Sequence, residues 1–485
     1  MLLLERDHIL FKIKKIFFFL IFLSLLFSLS AQTKTNDFKN KIDSLLSSKF
    51  FSHTLAAVKI YNLSTSEILY QKNNLLLLRP ASNLKLFTTA AALIFLGEDF
   101  KFNTKAFYTG QILNKKLYGE LYIKGGFDPF FKVEDLDKII NNIKKLDINE
   151  ITGNIYADVS SMDSLFWGKG WMWDDDPDPS APYLISLNIN ENVVDVITEP
   201  QKIGSQSKVT FYPASNFYTS EANVSTIKGD STKIKVNRDW VNRRNNISVS
   251  GYQYFNDKID TSKVNIFHPE LFFINLFKEK LSQYKIGFTG KLDTLSKPES
   301  AVLFSTIKRD LDSVIIKTNK ESNNLGAEML LYSLAQKYYG NPATAENGVK
   351  LIDSLITLIG DIPKNYRIVD GSGVSHYNLI SADLIIDLLK YIYTNKKDIF
   401  NLYYNSLPVA GVNGTLDKRM TVGNAFKNVH AKTGTLSGVS NISGYVNSVK
   451  GDTLAFTILM QNYVGKSKPA RTIQDSLCTI LSLYK

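Results

Sequence analysis

Hydrophobic and polar positions change texture several times along the chain. Residues 37–49 place Phe38, Ile42, Leu45 and Leu46 on one face of a helical wheel, which predicts a short amphipathic helix. Residues 55–61 and 67–70 read as two strands joined by a polar turn at residues 62–66. Residues 79–93 follow at once. Pro80 can open a helix there, because its missing N–H is one the first turn leaves unpaired anyway. Beyond it nearly every position is apolar, the pattern of a buried helix. From about residue 100 short strands dominate, at 104–108, 117–123 and 155–157, interrupted by a helix near 133–143. Residues 195–262 form a polar, β-type stretch rich in Ser, Thr, Asn and Lys, including the strands 233–236 and 247–250. A helix at 269–281 leads out of it. Helical spacing then returns at 324–337, 344–358 and 381–394, followed by strands at 431–434, 442–447 and 453–460 and a helix from about Ala470. Early strands, a helical block, late strands and a final helix predict one domain split in sequence, whose sheet draws strands from both chain ends.

The extreme N-terminus adds an address. Lys12, Lys14 and Lys15 precede an apolar run of about 14 residues, with small residues at Ser28, Ser30 and Ala31, which is the layout of a secretory signal peptide. The run is short for a membrane span, so residues 1–31 are read as a cleaved leader and the rest as free of a stable span. The chain of 485 residues holds one cysteine, Cys478, so no internal disulfide can form. An exported chain without disulfides fits a bacterial periplasm better than a stapled extracellular scaffold. A net charge of +11 favours an anionic envelope polymer as partner. The basic residues are scattered, without the dense runs or stacking motifs of nucleic-acid binders, which argues against nucleic acid.

The buried helix carries a lysine. Lys85 lies three residues after Ser82, on the same face, and a charge in apolar surroundings either finds a partner or shifts its pKa. Ser82 with a desolvated amine beside it has the makings of an activated nucleophile, its own N–H helping to hold an oxyanion. Ser-x-x-Lys alone is weak. Copies also start at Ser205, Ser225, Ser282, Ser305 and Ser482, and only the copy at Ser82 opens a long apolar helix. Two later segments supply partners. Ser322 and Asn324 stand two apart in a polar loop opening a helix, where a second hydroxyl can relay a proton and an amide can bind a carbonyl. Alone, that loop is an ordinary N-cap. Lys432-Thr433-Gly434-Thr435 lies at the end of a strand that stops at Gly434: Lys432 offers a fixed positive charge, Thr433 and Thr435 offer hydroxyls, and the Thr435 N–H offers a second oxyanion donor. Gly434 lets a ligand backbone come close. His53, His268, His376 and His430 form no metal motif, and no Gly-x-Ser-x-Gly elbow occurs, so no metal or organic cofactor is called for.

Taken in order, Ser-x-x-Lys, Ser-x-Asn and Lys-Thr-Gly resemble the signature of penicillin-binding proteins and serine β-lactamases. The chain resembles in particular the D-alanyl-D-alanine carboxypeptidase/endopeptidase family, the class C low-molecular-mass penicillin-binding proteins, over roughly residues 40 to 480. Residues 370–375, residues 407–416 with Arg419 and Met420, Gly125–Pro129 in the form Gly-Gly-Phe-Asp-Pro, and Gly-Trp-Met-Trp-Asp-Asp at 170–175 add to the likeness. About 200 residues separate Lys85 from Ser322, as in the family whose transpeptidase-like domain is interrupted, and far more than in β-lactamases. The resemblance implies an α/β fold of the α+β type. Residues 32–99 and 300–485 would form the two parts of a transpeptidase-like domain, around inserted β-rich domains at 100–299 with a nested insertion at about 195–262. It implies a serine-type D-Ala-D-Ala carboxypeptidase or endopeptidase acting on peptidoglycan peptides in the periplasm, with β-lactam antibiotics as covalent inhibitors. Ser82, Lys85, Ser322, Asn324 and Lys432 would be its catalytic residues, and Thr433, Gly434 and Thr435 would bind substrate. Two positions depart from the family: Asn323, where Asp is usual, and His376, where Arg is common. A β-lactamase and a non-catalytic envelope scaffold of the same fold are the alternatives, and oligomeric state is open.

Overall fold

A computed structural model describes Lys15 and residues 37–485; apart from Lys15, the expected leader, residues 1–31, lies outside the described residues. Its central element is a five-stranded antiparallel sheet in the order His430–Leu436, Val439–Asn447, Thr453–Gln461, Leu55–Asn62, Glu67–Lys72. The first strand of the described chain lies between its hairpin partner and the last strand, with Leu55 opposite Gln461. Val439–Asn447 and Thr453–Gln461 are buried at all but one position each, the mark of strands covered on both faces. One face carries the helix Ala382–Asn395, where the Tyr445 hydroxyl donates to the Leu389 carbonyl at 2.9 Å. The other carries the helix at residues 37–46 and the C-terminal helix Lys468–Ser482. There Phe38, Ile42, Leu46, Leu477 and Leu481 close a core over Val58, Ile60 and Phe456.

The predicted buried helix is Lys85–Leu96, and ten of its twelve residues are buried. Leu86, Phe87 and Leu93 each stabilise the fold by roughly 1.5–3 kcal/mol on burial. Pro80 does not open this helix. Ala81 has φ +47°, which breaks the backbone there, and Ala81–Leu84 form a separate 3-10 turn. The helix packs among Leu311–Lys320, Asn324–Tyr339, Ala345–Leu358 and Lys397–Ser406. Of these, Leu311–Lys320 and Lys397–Ser406 have no counterpart in the sequence reading. Leu311–Lys320 contains Val314-Ile315-Ile316, poor helix formers held helical by burial of Leu311, Val314 and Ile315.

Between the two halves of this unit lie four further sheets. The expected strand at 117–123 is two strands, Lys116–Tyr118 and Leu121–Lys124, in different sheets. The polar β-type stretch forms two three-stranded sheets between Val193 and Asn265. One joins Lys208–Tyr212, Val193–Glu199 and Asp260–Asn265; the other joins Thr219–Ile227, Asn246–Tyr254 and Lys233–Arg238. A separate apolar core, including Leu136, Ile140, Phe273 and Phe277, serves this region.

Candidate active site

The turn carrying Ser82 is clamped between the sheet edge and the helical block. Asn441 donates from its side-chain amide to the carbonyls of Arg79 and Pro80 at 2.9 and 2.8 Å. Gln461 donates to the Arg79 carbonyl at 2.7 Å, and Asn83 donates to Ser443 Oγ at 2.6 Å. The edge strand His430–Leu436 presses close to this turn. A Cβ on Gly434 would lie 2.9 Å from each of Asn83 Oδ1, the Pro80 carbonyl and the Ser82 nitrogen. Gly434 was expected to make room for a ligand; what it admits is the protein's own nucleophile turn. The strand also runs two residues past it.

Lys85 is fully buried. Its Nζ lies 2.9 Å from Ser82 Oγ, 2.5 Å from Asn324 Oδ1 and 2.7 Å from the Ser372 carbonyl. Two of these three partners, an amide oxygen and a backbone carbonyl, can only accept. A neutral amine has two N–H donors and one lone pair. An ammonium can donate to all three partners, and a neutral amine fits the same set by donating to the two carbonyl oxygens and accepting from the Ser82 hydroxyl; burial favours the neutral form. Burial lowers the Lys85 pKa to about 7, against the opposing pull of Asp370 and Glu328.

Ser322 sits at φ +59°, just before the N-cap Asn323, whose side chain accepts from the Gly326 N–H. Its Oγ accepts from Lys432 Nζ at 2.8 Å, and Lys432 also donates to the Thr433 carbonyl at 2.8 Å. Lys432 is fully buried, and burial with the nearby Lys85 pushes its pKa well below the usual range. The expected positive charge at Lys432 meets an opposing pull, because burial and the neighbouring Lys85 both disfavour the charged form. The Thr433 hydroxyl bonds that of Thr415 at 2.6 Å. The amide of Asn324 is not free either. It donates to the backbone carbonyl of Ser180, on the segment that closes the far side of the cleft.

Six of the eight sequence-predicted residues, Ser82, Ser322, Asn324, Thr433, Thr435 and, through its contact with Ser82, Lys85, surround one cleft of about 480 Å³. Lys432 reaches it through Ser322, and Gly434 forms its floor against Ser82. Arg419, Arg471, Asp175 and Ser180 complete the rim. The histidines stay outside the chemistry. His430 is stacked on Tyr404 at 4.0 Å, and burial lowers its pKa to about 4. His376 contacts Arg79 Nη1 at 3.3 Å. Among the described residues, no group of three His, Cys, Asp or Glu side chains could hold a metal ion.

Sequence reasoning missed the support behind Lys85. Glu328 accepts from the Gly371 and Ser372 N–H groups at 3.1 and 2.8 Å, and burial together with Asp370 raises its pKa to about 8. Asp370 accepts from Trp171 Nε1 at 3.0 Å, Gly373 N at 2.9 Å, Ser375 N at 2.7 Å and Asn378 Nδ2 at 2.7 Å. The two carboxyls fix the loop whose Ser372 carbonyl meets Lys85. Glu328 was findable: it stands four residues after Asn324, an acid on an otherwise apolar helix.

Residues 38–483 match the D-Ala-D-Ala carboxypeptidase 3 (S13) family. A D-alanyl-D-alanine carboxypeptidase of Actinomadura sp. (strain R39) is 28% identical over 467 residues, 93% of this chain and 85% of the relative. The crystal structure of penicillin-binding protein 4 from Haemophilus influenzae superposes with a TM-score of 0.78 at 26% identity, covering 91% of this chain and 99% of the other. The same Haemophilus protein complexed with a β-lactam gives a TM-score of 0.72 at 25% identity, covering 92% and 100%. The penicillin-binding-protein-like fold and the length of the match leave one assignment: this chain belongs to the D-Ala-D-Ala carboxypeptidase 3 (S13) family.

Proposed function

We propose that this carboxypeptidase works through an acyl-enzyme on Ser82, with neutral Lys85 as the base. The observation that carries the reading is the fully buried Lys85 amine 2.9 Å from Ser82 Oγ, where burial lowers its pKa to about 7. Lys85 takes the Ser82 proton as Oγ bonds to the carbonyl carbon of a D-Ala-D-X peptide. The N–H groups of Ser82 and Thr435 hold the oxyanion. The C–N bond then breaks. The leaving amine takes a proton from Ser322, which Lys432 and Lys85 replenish. Water, deprotonated by Lys85, cleaves the ester and frees Ser82. Thr433, Thr435 and Lys432 receive the substrate carboxylate. That carboxylate, an anion beside Lys432, favours its ammonium form. Asn324 exchanges its bond to Ser180 for one to the stem peptide.

The substrate class is peptidoglycan stem peptides, and β-lactams acylate the same serine, as the β-lactam complex of the Haemophilus protein supports. The basic leader and its small-residue end support export to the periplasm. Among the described residues no helix is long and apolar enough to cross a membrane. Intact mass of the protein incubated with benzylpenicillin, wild type against Ser82→Ala, tests the reading. One stable adduct on the wild type alone is expected. An adduct on Ser82→Ala overturns the assignment of the nucleophile. Rapid drug loss without an adduct identifies a β-lactamase instead.

A further inference from the structure

Three of the four tryptophans, Trp167, Trp173 and Trp240, line one groove, and the fourth, Trp171, packs against Trp167. Trp167 and Trp171 pack edge to face at 5.4 Å, and Trp171 is the residue that donates to Asp370. Trp173 is 72% exposed, and its ring lies 4.7 Å from that of Trp240 at an angle of 42°. Trp240 comes from the bend between the strands Lys233–Arg238 and Asn246–Tyr254, so two separate segments deliver the pair. Together with Phe166, Trp167, Tyr183 and Arg243 they wall a groove of about 300 Å³. Phe166, Tyr183 and Arg243 also line a second, larger cavity of about 730 Å³, whose walls add Asp163, Glu270 and several serine hydroxyls. Arg243 enters no ion pair among the described residues and is exposed.

Trp173 leaves most of its indole in water against a half-buried Trp240, so much of its apolar surface is not used by the fold. Flat aromatic faces flanked by hydroxyls, carboxylates and a lone cation suit a ligand with an apolar face and a polar rim. A pyranose ring has that construction: axial C–H groups on one face, hydroxyl and acetamido groups around the edge. The location narrows the choice. Trp173 stands in the turn Trp173–Asp175, whose last residue lines the catalytic cleft, as does Ser180 on the same segment. One segment therefore lines both cavities, Asp175 and Ser180 facing the Ser82 cleft and Trp173 and Asp176 facing the aromatic groove, which places the groove next to the cleft.

We propose that this groove binds sugar rings of the glycan strand whose stem peptide enters the Ser82 cleft. The inference rests on the reading of that cleft as a peptidoglycan peptidase. It makes the protein a reader of glycan as well as peptide, with Trp173 and Trp240 as the stacking platform and Arg243 donating to hydroxyl and acetamido oxygens on the sugar edge.

The double variant Trp173→Ala/Trp240→Ala tests it, since both side chains reach solvent and neither touches the reacting groups. Two substrates are compared: a disaccharide-pentapeptide and the same pentapeptide without sugar. In the wild type the sugar-bearing substrate should have the higher kcat/KM, and the double variant should lose about tenfold of that preference while keeping its rate on the free peptide. Tri-N-acetylchitotriose, a probe with no peptide, should shift the tryptophan emission of the wild type and leave the double variant unchanged. An unaltered preference in the double variant overturns the proposal. So does an equal loss on the free peptide, which would make the groove a peptide site. Benzylpenicillin acylation separates the two readings. If the wild type is not acylated, the Ser82 reading fails, and the chitotriose titration still decides the groove.

Discussion

Acid should silence Ser82 while the fold is intact. With the Lys85 pKa at about 7, the neutral amine makes up about 90% of the protein at pH 8, about 10% at pH 6 and about 1% at pH 5. The second-order rate of acylation by benzylpenicillin should therefore fall about tenfold from its plateau by pH 6 and about a hundredfold by pH 5, close to 1.4 kcal/mol of barrier per pH unit. A lysine in water, with a pKa near about 10.4, would instead give a rate still climbing tenfold per unit at pH 9. The midpoint thus reports the burial of one amine. Stopped-flow acylation from pH 5 to 9.5, with circular dichroism at each pH, measures it. The charged neighbours also enter. Glu328 and Asp370 lie behind Lys85, and Lys432 lies in front. Glu328, with its pKa raised to about 8, is mostly neutral on the acid limb, so Glu328→Gln should move that limb little. Lys432 must carry a proton to receive the drug's carboxylate, so the profile should turn down on the alkaline side. A rate flat between pH 5 and 8, or a midpoint near 10, would refute the neutral-base argument.

Gly434→Ala would drive a Cβ to within 2.9 Å of three atoms of the nucleophile turn. A displacement on the order of 1 Å should slow acylation about a hundredfold with little change in thermal stability, and rates within threefold of wild type would contradict that. Lys85→Met removes a group whose pKa is depressed by folding. Between pH 7 and about 10 the unfolded wild type binds the extra proton, so its stability should climb relative to Lys85→Met by up to about 1.4 kcal/mol per unit, and level off above that range. Urea unfolding at pH 7 and 9.5 reads the difference, and parallel curves would refute the shift. Arg238 is fully buried and ion-paired with Asp176. Asp176→Ala strands that cation and should cost about 3–5 kcal/mol, read as an earlier unfolding transition, whereas an unchanged transition would mean that water reaches the guanidinium. Cys478 is buried with its thiol pKa pushed up to about 12, so a thiol reagent at pH 8 should label nothing until denaturant exposes one thiol per chain.

The sequence made the chemistry legible because its motifs are local. Ser82 and Lys85 fall on one side of one turn, Ser322 and Asn324 bracket one N-cap, and Lys432 to Thr435 occupy one strand. Their convergence is a property of the fold, and only the order of the three motifs pointed to it. What stayed hidden depended on partners distant in sequence. Pro80 before an apolar run looks like a helix start, and only the clamp from Asn441 and Gln461 explains why the backbone reverses at Ala81. Glu328 reads as a stray polar residue until the Gly371–Ser372 loop is seen resting on it. Lys432 reads as an exposed charge until its burial is known. Val314-Ile315-Ile316 favours a strand by local preference, and tertiary packing overrides it.

The pairing of the first sheet strand with the last has a consequence for how the chain is made. Asn62 bonds Asp452, 390 residues later. At roughly 5–20 residues per second, the early hairpin waits on the order of 20–80 s for its partner to be synthesised. Meanwhile the core built between Ala106 and Ile307 has all of its residues at hand and can close. The catalytic half must therefore assemble last, with its apolar strand edge open until Thr453–Gln461 emerges. Loss of the final few dozen residues would leave a folded middle flanked by two halves of a sheet that never meet. For this chain, a nonsense codon near the end is as damaging as one near the beginning, and a chaperone that shields the waiting hairpin would raise the yield more than any mutation that strengthens the middle.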